Sequence, residues 1–219
     1  MESTLHRQLK ARHGPACGGR TEVVVGGFRI DAIDAEGTLI EVQSAALGPL
    51  RGKLARLLPD HRVRVVKPVV VSRRIVRRDG RSARQSPRRG ALLDAFDDLV
   101  GLARVFPHPN LRIDVVAVAI DEVRVPRRRR PGYSVVDRSL REVVGSTTLE
   151  SARDLWALLP ATIPEPFTTP DLAHALGKPI EFARRVAYCL RLSGAAGAAG
   201  KRGNLLVYGR GLVGREGPR

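Results

Sequence analysis

Residues 27–44 constrain the fold of this chain more than any other stretch. They read Gly-Phe-Arg-Ile-Asp-Ala-Ile-Asp-Ala-Glu-Gly-Thr-Leu-Ile-Glu-Val-Gln-Ser. Two apolar-alternating runs flank Ala35, Glu36 and Gly37, which reads as a pair of antiparallel strands joined by a three-residue turn with Gly37 in the left-handed position. That turn dictates the register: Asp34 faces Thr38 and Asp31 faces Glu41. Directly opposed residues have Cβ atoms about 4.5–5.5 Å apart. Two carboxylates so close repel each other unless a cation lies between them. Side chains alternate along a strand, so Gln43 shares the face of Glu41, while Ile40 and Val42 take the buried one. The expectation is a surface that presents Asp31, Glu41 and Gln43 together around a metal ion. The plainer reading is a pair of solvated acids, each matched by an arginine such as Arg29 or Arg51.

The flanking segments supply an order of elements. Residues 3–12 read as a helix with Leu5 and Leu9 on one stripe. A Gly/Pro break at 13–19 follows, and 21–25 opens the sheet. After the hairpin, Leu47, Leu50, Leu54, Leu57 and Leu58 recur at helical spacing over 47–58, and 63–71 is a long apolar strand. A helix between two strands implies a crossover, so this strand is expected to run parallel to the strand of Glu41. The reading is an α/β fold with an α-β-β-β-α-β core and a mixed sheet. Residues 73–89 are rich in arginine and turns, 91–105 read as a helix, 111–125 as a strand, and 127–131 as a basic linker.

A composition shift near Thr147 suggests a division into 1–146, 147–213 and a tail at 214–219. In the second unit, 151–159 reads as a short helix. Thr169, Pro170 and Asp171 signal a helix start, with Gly177 ending that helix. A longer helix covers 179–192 with Arg184, Arg185 and Arg191 outward. A Gly/Ala-rich turn at 194–203 then leads to a short strand at 205–208. Helix, helix, longer basic helix and hairpin in this order read as a small C-terminal winged helix-turn-helix.

The hairpin resembles the active-site core of the PD-(D/E)XK nuclease superfamily, restriction-endonuclease-like proteins whose core is helix, three-stranded meander, helix and strand. That family carries an Asp on the second strand and Glu-x-Lys on the third. The matching positions here are Asp31 and Glu41-Val42-Gln43, with Gln43 where lysine is usual; the resemblance covers about residues 1–72. It implies a metal-dependent deoxyribonuclease, with Asp31, Glu41 and the backbone carbonyl of Val42 as ligands of Mg²⁺ or Mn²⁺ and Gln43 as the residue that orients water. It also implies an acid from the first helix, for which Glu2 is the candidate. Mg²⁺ is held by one or two carboxylates with water and phosphate, and it makes bound water more acidic. Glutamine carries no charge, so the missing cation is sought in Lys53, on the next helix, or Lys67, in the next strand.

Charge points to the substrate class. The formal net charge is +16, carried by 38 Lys and Arg residues of which only five are lysine. A chain this basic binds a polyanion, and Arg suits phosphate. Arg51, Arg73, Arg74, Arg128, Arg129, Arg184, Arg185, Arg191, Lys201 and Arg202 are the expected contacts to duplex or branched DNA. Aromatic residues make up only 4% of the chain, which leaves base stacking on single strands thinly supported. The five histidines form no zinc motif, and no glycine-rich phosphate loop is present. Cys17 and Cys189 stand far apart in no metal spacing and read as free thiols. No apolar run approaches the roughly 18 residues of a membrane span, and 1–12 lack a secretory core. A cytoplasmic, nucleoid-associated protein is expected. A non-catalytic DNA-binding protein on a degenerate nuclease fold, RNA as the polyanion, and a homodimer remain open alternatives.

Overall fold

The computed structural model describes residues 3–14, 18–78, 80, 83–128 and 132–211. A large mixed sheet with helical layers on both faces makes the chain mixed α/β. Helix α1 (Thr4–His13) starts at Ser3, whose hydroxyl accepts from the His6 N–H, the usual means of satisfying an orphan helix donor. Strands β1 (Arg20–Val25) and β2 (Phe28–Ile33) meet at Gly26 and Gly27, both at positive φ. Strand β3 (Leu39–Val42) follows the expected turn, with Gly37 at φ +81°. Asp34 accepts from the N–H groups of Glu36 and Thr38 across that turn. The register Ala32↔Ile40 and Ile33↔Leu39 is the one that a three-residue turn requires.

Helix α2 (Leu50–Leu57) is the crossover, and β4 (Val63–Arg77) runs parallel to β3 from Leu39↔Val63 to Val42↔Val66. Strand β5 (Ala83–Gln85) folds back on β4. The segment read as one helix over 91–105 is a single α-turn, α3 (Phe96–Leu99), between two tighter 3₁₀ turns. Strand β6 (Leu111–Pro126) pairs in parallel with β4, and β7 (Tyr133–Leu149) pairs antiparallel with β6. The sheet order is β1-β2-β3-β4-β6-β7, with β5 on β4. The sequence pattern missed β7, and its basic linker is the connection between two long strands. Most of β7 is exposed or half-exposed, so it carries no clear period of buried residues. The expected boundary at 146/147 falls inside this strand.

Side chains alternate to make two cores. On one face α1 sets Leu5 and Leu9 against Ile40, Val42, Val66, Val116 and Ile120. On the other, α2 and α3 cover Leu39, Val63, Val65, Ile113 and Val115, and this core continues without interruption into the C-terminal elements. Those are β8 (Phe167–Thr168), α4 (Thr169–Leu176), α5 (Ile180–Ser193), β9 (Ala196–Arg202) and β10 (Leu205–Arg210), with strand order β8-β10-β9. The cap of α4 is Thr168, one residue before the predicted start, in a reciprocal box with Asp171. Strand β9 occupies the stretch expected to be a turn. Its residues are Gly and Ala up to Lys201 and Arg202, and backbone pairing with β10 rather than side-chain propensity defines it. Trp156 packs edge-on against Phe167, which stacks on Tyr208. The ion pairs Lys178–Asp94 (2.6 Å) and Arg185–Asp97 (2.8 Å) join the C-terminal elements to the segment around α3. Among the described residues no helix is long and apolar enough to cross a membrane.

Two tests follow from this packing. A Cβ on Gly101 would lie 2.5 Å from the backbone nitrogen of Gly48, whereas one on Gly52, inside α2, would meet nothing within 4 Å. In urea unfolding, Gly101→Ala should destabilise by about 1–3 kcal/mol and Gly52→Ala should stabilise by about 0.5–1 kcal/mol. Equal effects would contradict the close approach. Asp114 is buried and bonded to Arg64 (2.5 Å), Arg112 (2.9 Å) and the Thr148 hydroxyl (2.9 Å). Burial pushes its carboxyl up, but these partners outweigh burial and hold it below the ordinary 3.8. The stability it contributes is therefore complete above about pH 4 and lost as pH falls through the lowered value. Asp114→Asn should be markedly less stable than wild type at neutral pH, with the gap closing below the ordinary carboxylate range.

Candidate active site on the β2–β3 hairpin

The alternation of β2 breaks at Asp31. Ile30 belongs to the core under α2, and Ala32, two residues on, to the core under α1. Opposite Asp31 in the β1–β2 register stands Glu22, the one non-glycine among the described residues with positive φ, at +57°. Such a backbone is held only when its surroundings over-determine it. Here Glu22 is paired with both Lys10 of α1 and Arg29 of β2.

The break redirects the two acids. Asp31 meets α1: its Oδ1 lies 3.4 Å from His6 Nε2 and 3.7 Å from Lys10 Nζ, and its Oδ2 accepts from the Val42 N–H at 2.9 Å. Glu41 meets α2: its Oε1 lies 2.5 Å from Lys53 Nζ and 3.4 Å from the Asp31 N–H. Lys53 also donates to the carbonyl of Arg29 at 2.5 Å. Asp31 and Glu41 thus stay adjacent, linked through each other's backbone, rather than standing side by side on one open surface. Neither is a solvated acid matched by arginine; each has a lysine. Burial pushes Asp31 up, but the His6 contact, the Val42 N–H and Lys10 together bring it below the ordinary 3.8. Burial also raises Glu41, and here it prevails: despite Lys53, and with the Asp31 charge adding to it, the carboxyl sits above the ordinary 4.5.

The other expected site residues separate. Lys67 is almost fully buried, and its ammonium is held by the carbonyls of Ser44 (3.3 Å) and Ala45 (2.8 Å) and by Asp98 (2.7 Å). All three donors are therefore used to tie the β3–α2 connection to α3. Gln43 donates its amide to the Ala46 carbonyl at 3.0 Å, within that same connection. Val42 contributes its N–H to Asp31. Glu2 and Arg129 lie outside the described residues. His6, Lys10 and Glu22 joined the site without being anticipated. The i, i+4 spacing of His6 and Lys10 on a helix next to the hairpin is the signal that would have found them.

The hard oxygen donors of Asp31 and Glu41 suit Mg²⁺ or Mn²⁺, which need only one or two protein carboxylates when water and phosphate complete the shell. Among the described residues no group of three or more His, Cys, Asp or Glu side chains is gathered to hold a metal. The expected DNA contacts divide as well. Arg51, Arg128, Arg184, Arg191 and Lys201 are exposed. Arg73 lies 3.5 Å from Glu122, Arg74 2.6 Å from Asp121, Arg185 2.8 Å from Asp97 and Arg202 3.4 Å from Asp171.

A family model described as Domain of unknown function (DUF8091) matches residues 3–150, the stretch from α1 to the end of β7. An "Uncharacterized protein" of Treponema pallidum (strain Nichols) is 35% identical over 218 residues, covering 94% of this chain and 84% of that protein. No solved structure matches the chain.

A buried carboxylate is strongly destabilising once its partner is removed. Lys53→Met should therefore cost about 3–5 kcal/mol in chemical denaturation. The double variant Glu41→Gln/Lys53→Met should recover much of that loss. If Lys53→Met proves neutral, the pair is not the desolvated contact described here.

Proposed function

This chain belongs to the family described as Domain of unknown function (DUF8091), and we propose that it is a metal-dependent endonuclease acting on duplex or branched DNA. The observation that carries this reading is the meeting of Asp31, Glu41 and Lys53 on the β2–β3 hairpin. The order of elements supports it: α1, the meander β1-β2-β3, α2, then β4 parallel to β3 is the α-β-β-β-α-β order of the PD-(D/E)XK core. Glu22 adds support, because strained backbone clusters at active sites. Two helices followed by the β9–β10 hairpin are in keeping with a winged helix-turn-helix, its exposed Arg184, Arg191 and Lys201 available to phosphate.

In this mechanism Asp31 and Glu41 would hold Mg²⁺ or Mn²⁺, which when bound supplies charge stabilisation at phosphate and a more acidic water. Asp31, kept ionised by His6, Lys10 and the Val42 N–H, is the safer ligand. Lys53 takes the role that the PD-(D/E)XK motif gives to lysine, placing a positive charge where negative charge develops on the phosphate. Gln43 keeps its amide oxygen to orient water, its nitrogen being engaged by Ala46. Lys67 has no donor left and serves as a strut.

One observation favours a second reading, a DNA-binding protein on a nuclease-like scaffold without turnover. Lys10 and Lys53 already balance both carboxylates, so a metal would have to displace part of that pairing.

Purified protein should cleave DNA in Mg²⁺ or Mn²⁺ and not in EDTA. Asp31→Asn and Glu41→Gln should reduce cleavage to background with DNA affinity retained, and Lys53→Met should slow it by about 10²–10³-fold. No cleavage of duplex, branched or single-stranded substrates in either metal, with no Mg²⁺ heat in calorimetry, would leave the second reading in its place.

A further inference from the structure

Beyond the last β3 pairing, Val42↔Val66, strand β4 continues for eleven residues to Arg77. Over this length it is flanked by β6 on one side, by β5 on the other near its end, and β7 lies outside β6. At about 3.3 Å per residue the extension reaches about 36 Å. It continues past the end of β3 that carries Glu41, still paired with β6, and α1 packs against this part of the sheet at Val118 and Ile120.

The arginines of this arm fall into two groups. In the outer half of the extension, Asp121 is engaged by Arg74 and Arg141, and Glu122 by Arg73, Arg124 and Arg138. Glu122 is only 1% exposed, so these arginines are consumed in holding a buried acid and stiffening the sheet. Toward the tip, Arg78, Arg84, Arg127 and Arg128 are exposed, and no ion pair engages them among the described residues. Asp79, which follows Arg78 in the sequence, lies outside the described residues. With these arginines neutralised, the free positive charge is concentrated at the tip.

We propose that the tip of this arm is a clamp for the phosphate backbone of duplex DNA, binding without reading sequence. Its width argues against insertion into a groove: four strands at about 4.8 Å spacing span about 14 Å, whereas the major groove, about 12 Å wide, admits a two-stranded ribbon. Contact is therefore to phosphates, which give affinity and orientation but no base information. The proposal deepens the DNA reading given above, on which it rests for the choice of polyanion, and it is independent of catalysis.

The test is fluorescence polarisation in EDTA with a labelled duplex of about 30 bp, close to three helical turns, titrated across KCl. One variant carries Gln at Arg78, Arg84, Arg127 and Arg128; a charge-matched control carries Gln at the exposed Arg20, Arg62, Arg104 and Arg153. The arm variant should bind at least about tenfold more weakly near 200 mM salt, with a log–log salt slope shallower by about 3, since each duplex phosphate contact contributes about 0.9. The control should keep both its affinity and its slope. A third variant with Lys at the four arm positions keeps the charge and should restore the slope. Equal losses in the arm and control variants, an arm variant that binds like wild type, or a Lys variant as weak as the Gln variant would each overturn the clamp. Tighter arm-dependent binding of an equivalent RNA duplex would overturn the choice of DNA. EDTA removes cleavage from the measurement, so failure of the nuclease reading and failure of the clamp are read separately.

Discussion

Strand β4 is the constraint on which the rest of the molecule depends. It is hydrogen-bonded in parallel to β3 on one side and to β6 on the other, and both of its faces are covered over residues 63–69. Parallel neighbours require crossovers, and those crossovers are α2 and the α3 segment, which build one of the two cores. A strand covered on both faces is almost wholly apolar, as the run Val63–Val71 is apart from Arg64 and Lys67. Lys67 is tolerated because its ammonium is fully satisfied by two carbonyls and Asp98. The same strand, continued past the body of the sheet, becomes the arginine-bearing arm.

The division of labour between the two kinds of cation follows from their chemistry. Four of the five lysines, Lys10, Lys53, Lys67 and Lys178, are engaged with acids, three of them in the body of the sheet and its helices. A compact ammonium presents three donors and can be enclosed when all of them find oxygen. The guanidinium is larger and presents a planar fork of five donors, and arginines here lie mostly at or near the surface. Buried pairs are weak contributors to stability, since well-packed apolar residues often serve as well. The Glu41–Lys53 and Asp31–Lys10 pairs are therefore poorly explained as stabilising devices, and the chemistry proposed for the hairpin gives them a role.

Legibility in the sequence tracked how local each determinant was. The hairpin register was readable because Gly37 and a three-residue turn decide it within a few residues. The crossover and the parallel β3–β4 pairing were readable because leucines at helical spacing separate two apolar strands. Helix α4 was placed to within one residue by Pro170 and Asp171. Strand β7 was invisible because it is exposed or half-exposed along most of its length, and β9 because Gly and Ala have no strand preference of their own. The α3 segment is broken into short turns and brings Gly101 against the backbone of Gly48, a contact that no periodicity reports.

The site divides along the same line. Sequence alone determined that Asp31 and Glu41 would be neighbours across a hairpin, that Gln43 would bring no charge, and that any lysine beside the two acids would come from elsewhere in the chain. Only the tertiary structure decided which one. Lys53 reaches Glu41 because α2 lies over that face of β3, while Lys67 is drawn into the chain entering α2. Tertiary structure also turned Asp31 toward α1, through a break in β2 alternation opposite the strained Glu22. That choice belongs to three segments at once, α1, β1 and β2, and a one-residue change of phase in a strand exchanges its faces. The composition of the strand itself holds no record of where that change occurs.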